Sequence, residues 1–224
     1  MEKSKVYFTS FRTQVGTSWL EKLRRLCIAA GIKNIDMEGK FVAIKMHFGE
    51  MGNLAFLRPQ YAKVVADLVK EQGGLPFLTD CNTLYPGSRK HALEHITCAN
   101  LNGFNFMTTG CQIIIGDGLR GTDEVEVPIK NAQVLKTAKI GRAIMDADIF
   151  ISFAHFKGHE MTGFGGAVKN IQRIWNIKPE ECAAFGDFMN DYEMMQAVEY
   201  SFAMANAYPE IKKVAKFETL SNDE

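Results

Sequence analysis

At 224 residues and 46% hydrophobic, the chain is long enough to bury a substantial core, as one large domain or two small ones. Its 26 basic and 26 acidic residues cancel, so no global field favours nucleic acid or an acidic membrane surface, and neither is expected as a partner. No apolar stretch approaches the roughly 20 residues that span a bilayer, and no leader pattern opens the chain, so a cytoplasmic location is expected.

The first element predicted is a short strand at residues 6–9. A helix follows over 18–30, where Trp19, Leu20, Leu23, Leu26 and Cys27 recur at helical spacing and Gly31 suits the end. Residues 41–46 form a second strand, ending in the polar string His47-Phe48-Gly49-Glu50. A helix over 59–72 closes at Gly73-Gly74. A strand over 77–79 leads into Asp80-Cys81-Asn82-Thr83, and a further helix starts over 89–95. Residues 112–115 and 124–128 read as strands around the turn Gly116-Asp117-Gly118, residues 139–145 as a short helix and 148–152 as a buried strand. From about residue 171 the text changes character. Strands are expected at 182–185, 200–203 and 217–220, with helices over 190–197 and 209–215 between them. Recurrent strand, polar loop and helix predict an α/β fold: a mostly parallel, doubly wound sheet with helices on both faces, completed by a C-terminal β-α-β-α-β segment. The regions 1–171 and 172–224 are expected to pack into one sheet, because no flexible linker separates them.

Ligands of such sheets gather at the carboxyl ends of strands, where the polar loops of this chain fall. The densest is residues 155–170, with His155, Lys157, His159, Gly163, Gly165, Gly166, Lys169 and Asn170. Its glycines let backbone amides approach an anion, Lys157 and Lys169 can neutralise it, and His155 and His159 can ligate a metal or move a proton. A small anionic ligand or a metal is therefore expected there. The string Lys45-Met46-His47-Phe48-Gly49-Glu50 adds His47 as a further metal candidate, beside the alternative that it is structural. Asp80-Cys81-Asn82 superficially suggests a phosphatase nucleophile loop, but the second aspartate such a loop needs is replaced by Asn82. Asp117-Gly118 reads as a hairpin turn. The five cysteines (Cys27, Cys81, Cys98, Cys111, Cys182) are scattered without any C-x-x-C, so free thiols are expected and no iron–sulfur cluster is expected within this chain.

Several of these strings occur in an order that marks a family. Lys45 to Glu50, Thr79 to Tyr85, Gly87-Ser88-Arg89-Lys90 and above all His155 to Asn170 make residues 5–170 resemble the uncharacterised iron–sulfur-centre proteins, the domain of unknown function numbered 362. The resemblance implies an α/β fold that often carries a ferredoxin-like insert, and it fixes no activity. The chain leaves the family's pattern after Lys169-Asn170-Ile171, where the cysteine-bearing insert would continue.

In the remaining stretch, Gly186-Asp187-Phe188-Met189-Asn190-Asp191 sets two carboxylates four residues apart across a strand end and the next helical turn. Both can point at one Mg²⁺, although an aspartate after a strand also commonly caps a helix. With Ala203-Met204-Ala205-Asn206-Ala207 and the closing Thr219-Leu220-Ser221-Asn222-Asp223, residues 172–224 resemble the C-terminal end of a Cof-type phosphatase of the haloacid dehalogenase superfamily. That resemblance implies that Asp187 and Asp191 hold the metal and that Asn190 contacts the phosphate or its ligands. The family's Asp-x-Asp nucleophile has no counterpart: Asp146-Ala147-Asp148 has the spacing but precedes its strand. Gly166 stands where the phosphate-steering lysine belongs. The whole looks like a chimera or relic scaffold without a complete known active site. A Mg-dependent phosphatase and a redox accessory protein are the alternatives.

Overall fold

The computed structural model describes residues 5–84, 86–129, 136–155, 183–186, 200–205 and 207–219. These fall into two compact units, 1–153 and 154–224.

In the first unit, α1 (Trp19–Ala29) begins where the Ser18 hydroxyl accepts the Glu21 amide at 3.1 Å. It ends before Gly31, whose φ of 95° lets the chain turn into a short 3-10 segment, Ile32–Asn34. Then come β1 (Phe41–Lys45), α2 (Pro59–Lys70), β2 (Leu75–Asp80), α3 (Ala92–Leu101), the single turn α4 (Phe106–Thr109) and β3 (Gln112–Ile115). An antiparallel ribbon of β4 (Glu124–Pro128) and β5 (Thr137–Gly141) leads through α5 (Arg142–Met145) to β6 (Ile149–Ser152).

The main sheet is parallel, in the order β3-β2-β1-β6. One face of it carries Val42, Ile44, Leu78, Ile113, Ile115, Ile149 and Ile151. These pack with Val65, Ala66 and Val69 of α2, Ala99 of α3, and Phe48 and Phe104 from the loops. α2 presents Ala62, Val65, Ala66 and Val69 to this core at helical spacing, and each fully buried large side chain contributes about 1.5–3 kcal/mol. On the opposite face Ala43, Phe77 and Thr79 are buried, while Phe41, Leu75, Ile114 and Phe150 remain about half-exposed.

In the second unit, β7 (Ala183–Gly186), β8 (Tyr200–Met204) and β9 (Phe217–Thr219) pair in parallel, with α6 (Pro209–Val214) between the last two. The fold is α/β with predominantly parallel sheets, as the alternating pattern predicts. Among the described residues no helix is long and apolar enough to cross a membrane.

Three local expectations are corrected. Residues 6–9 are extended but join no ladder. Residues 112–115 and 124–128 do not form a hairpin, because β3 pairs with β2 and β4 pairs with β5. The helix expected over 139–145 is divided: Thr137–Gly141 is a strand, and only Arg142–Met145 is helical. The predicted helix over 190–197 lies outside the described residues.

Candidate functional site

Because β1, β2, β3 and β6 are parallel, the chain leaves all four at the same end of the sheet. Lys45 ends β1, Asp80 ends β2, and the turn after β3 carries Asp117. These positions build a closed polar network. Asp80, with its side chain only 8% exposed, meets the Lys45 ammonium at 3.2 Å through Oδ1 and the Arg89 Nη1 at 3.5 Å through Oδ2. The Arg89 guanidinium, only 4% exposed, donates from Nε to Glu50 Oε2 at 2.7 Å. The other Glu50 oxygen accepts the Ser88 amide at 3.1 Å and the Ser88 hydroxyl. Burial acts to raise the Glu50 pKa, but the bonds from Ser88 and Arg89 outweigh it and hold the carboxyl below its ordinary value.

Asn82 explains the missing second aspartate of the loop after β2. Its backbone N–H donates to both Asp117 oxygens at 3.0 Å, and its Nδ2 donates to Asp117 Oδ1 at 2.8 Å and to the Gly118 carbonyl at 3.0 Å. A carboxylate at position 82 would face Asp117 without those side-chain donors. Asp117 is thus a buried acceptor that ties two loops together, where its sequence context reads as a hairpin turn. This placement requires a close approach of backbones: a Cβ on Gly141 would lie 2.6 Å from the Gly116 carbonyl carbon and oxygen.

Behind Asp80 stands His95, fully buried on α3 and edge-on to the Phe48 ring at 5.7 Å. Burial pushes its pKa down to about 4, so the ring is neutral near pH 7. Since the Asn82 amide nitrogen is held by Asp117 and Gly118, Asn82 Oδ1 faces His95 Nδ1 at 3.4 Å, which assigns the proton to Nδ1. His95 Nε2 then lies 3.9 Å from Asp80 Oδ2 and is without a hydrogen-bond partner among the described residues. Beside this network the Cys81 thiol is pushed up to about 11 by burial and by the Asp117 and Asp80 charges, which keeps it protonated and a poor nucleophile.

Of the residues singled out in the sequence, His47 lies just past β1, and its Nδ1 accepts the Gly49 amide at 2.9 Å. His155 follows β6 by three residues and is half-buried. Lys157, His159, Gly163, Gly165, Gly166, Lys169, Asn170, Asp187, Asn190 and Asp191 lie outside the described residues. Among the described residues, no group of three or more histidine, cysteine, aspartate or glutamate side chains is placed to hold a metal. Cys27, Cys81, Cys98 and Cys111 carry free thiols.

The family model described as "Domain of unknown function (DUF362)" matches residues 42–204, which include every residue of the polar network. The chain belongs to this family. The match ends inside the stretch that resembles a phosphatase, and the curated relatives bear out that second likeness. Phosphatase YwpJ of Bacillus subtilis is 45% identical over 60 residues, 27% of this chain and 21% of that protein. The HMP-PP phosphatase of Serratia proteamaculans is 42% identical over 125 residues, 54% of this chain and 44% of that protein. The chain therefore spans less than half the length of either relative. Among solved structures, the haloacid dehalogenase-like hydrolase protein yhjK of Bacillus subtilis aligns at 12% identity over 84% of this chain and 86% of that one, with a TM-score of 0.23. A score that low carries no argument about this chain.

Proposed function

We propose that this member of the family is a non-catalytic α/β binding scaffold located in the cytoplasm, which takes a small anion or a metal at residues 155–170. One observation carries the reading: the charged groups at the strand ends are paired with one another, and none of those described is poised for covalent chemistry. Asp80 is held by Lys45 and Arg89, Glu50 by Arg89 and Ser88, Asp117 by Asn82, and Cys81 keeps its proton. A network of this kind rigidifies the loops around it. Lys157, Lys169, Asn170 and the amides at Gly163, Gly165 and Gly166 supply the donors suited to an anion, and His155, His159 and His47 the nitrogens suited to a metal. The chain is read as a chimera of regions 1–171 and 172–224, with neither nucleic acid nor membrane as a partner. The balanced charge of the whole chain supports that.

The phosphatase relatives favour a second reading, a Mg-dependent hydrolase of phosphate monoesters. Asp187 and Asp191 would hold the ion, whose role is to stabilise charge on the transferring phosphoryl group, and Asn190 would orient the phosphate. Two carboxylates are hard oxygen donors of the type Mg²⁺ prefers. Against it stands the want of a nucleophile and of a steering lysine in the sequence.

Calorimetric titration with inorganic phosphate and with Mg²⁺, Mn²⁺ or Zn²⁺ separates the two, run beside a sugar-phosphate turnover screen. The scaffold reading expects binding that weakens at least tenfold, or about 1.4 kcal/mol, in Lys157→Ala or Lys169→Ala for phosphate. It expects no phosphate release above that of Asp187→Ala. Turnover abolished by Asp187→Ala would falsify it and establish the hydrolase.

A further inference from the structure

Residues 6–9 are extended, carry Val6 at 91% and Phe8 at 87% exposure, and join no strand among the described residues. The sheet of the first unit ends at β6, whose outer side has no strand beside it among the described residues. An exposed apolar segment in extended conformation and an unpaired sheet edge are complementary. We propose that the outer edge of β6 is a strand-acceptor site and that its occupant is residues 6–9 of the same chain, added in parallel as a fifth strand.

Handedness selects this edge over β3. The steps β1 to β2 and β2 to β3 cross the sheet in one direction, each through a helix (α2, then α3) packed on the same face. α1 belongs to that face too. Its Cys27 joins the same core, and its Arg24 pairs with Glu71 at the end of α2 at 2.7 Å. A right-handed connection through α1 into β1 therefore starts from the β6 side of β1. β6 fills the adjacent position, so the next place for the preceding strand is beyond β6.

The side-chain pattern agrees. Pairing Val6, Tyr7, Phe8 and Thr9 beside Ile149, Phe150, Ile151 and Ser152 puts Val6 and Phe8 on the core face with Ile149 and Ile151. Tyr7 and Thr9 then fall beside Phe150 and Ser152 on the other face. A slip of one residue would turn Val6 and Phe8 outward and bring Tyr7 and Thr9 in. The same register sets Lys5 beside Asp148 and near the exposed Asp146, an attraction that antiparallel addition would lose.

The tether is consistent with this placement. Lys22 Nζ donates to the carbonyls of Ser10 (2.6 Å) and Arg12, and Phe11 stacks on Trp19 at 4.4 Å. Residues 10–12 are thereby pinned to the start of α1. From there α1 leads through Ile32–Asn34 into β1, the strand beside β6.

The test is solution NMR on the full chain, with two variants. Nuclear Overhauser contacts are expected between residues 6–9 and 149–152, and the amides of the added strand should exchange about a hundredfold more slowly than those of residues 13–16. Phe8→Asp should lower the melting temperature by several degrees and abolish that protection. Val15→Asp, at an equally exposed position outside the arm, should do neither. Exchange of residues 6–9 at the rate of residues 13–16, or a melting temperature for Phe8→Asp equal to that of Val15→Asp, overturns the proposal. So do contacts seen only between differently labelled copies, which would make the occupant a second molecule.

Discussion

Replacing Arg89 with alanine removes a cation held between two carboxylates, at 2.7 Å from Glu50 and 3.5 Å from Asp80. Breaking a buried ion pair from one side costs about 3–5 kcal/mol, because the remaining charge stays desolvated. Two features of this network pull the loss toward the lower end. The Glu50 side chain is 31% exposed and can be rehydrated, and Lys45 stays 3.2 Å from the other oxygen of Asp80. We therefore expect about 3 kcal/mol, and about 2–4 °C of melting temperature per kcal/mol makes that a drop of roughly 6–12 °C. The acid limb should change as well. Glu50 has a folded-state pKa below its unfolded value, so its contribution is present above about pH 4.3 and is lost as pH falls through the folded-state value. Without Arg89 much of that contribution is absent at every pH, and the stability curve below about pH 4 should flatten. Urea unfolding followed by circular dichroism from pH 7 to pH 3 measures both effects, with Arg89→Lys as a partial rescue. A loss under about 1 kcal/mol at pH 7 would refute the view that this network is a buried, mutually dependent unit.

Further outcomes follow from neighbouring residues. His95 has its pKa pushed down by burial to about 4, so between that value and about 6.5 the unfolded chain holds a proton the folded one lacks. Stability should fall as pH drops through that window, by at most about 3 kcal/mol, and His95→Gln should remove the slope in a pH series of urea melts. Gly141→Ala drives a methyl group against the Gly116 backbone, and a loss of about 1–3 kcal/mol in thermal unfolding is expected because backbone yields less readily than a side chain. Phe104→Ala, at a fully buried ring 5.4 Å from Phe48, should cost about 3–5 kcal/mol by the same measurement.

Much of the fold is legible in the sequence where burial imposes a period. The runs at β1 and α2 show their apolar residues plainly, and β3 and β4 have the bounds their β-branched residues suggest. The order fails where two periods fit. Thr137 to Gly141 alternates exposed and half-buried residues as an antiparallel ribbon does, but Lys139 to Met145 also fits a helical turn. Pairing partners fail too, since Gly116-Asp117-Gly118 has the composition of a hairpin turn while its carboxylate is needed 35 residues away by Asn82. Half of the network is visible as strings just past strands, through Lys45, Glu50 and Asp80. His95 is not, because it lies mid-helix among Ile and Thr. Arg89 stands within a quoted string, yet nothing local announces that Glu50, 39 residues earlier, is its partner.

The place of β6 bears on how the chain meets the ribosome. β1, β2 and β3 follow one another, yet the neighbour on the other side of β1 arrives late: the Phe41 amide waits for Asp148, 107 residues downstream. At translation speeds of about 5–20 residues per second, that flank of β1 stays bare for roughly 5–20 s. During this interval it is open to any extended peptide nearby, so the yield of native protein should depend more on elongation rate and on holdase chaperones than on the final stability of the fold.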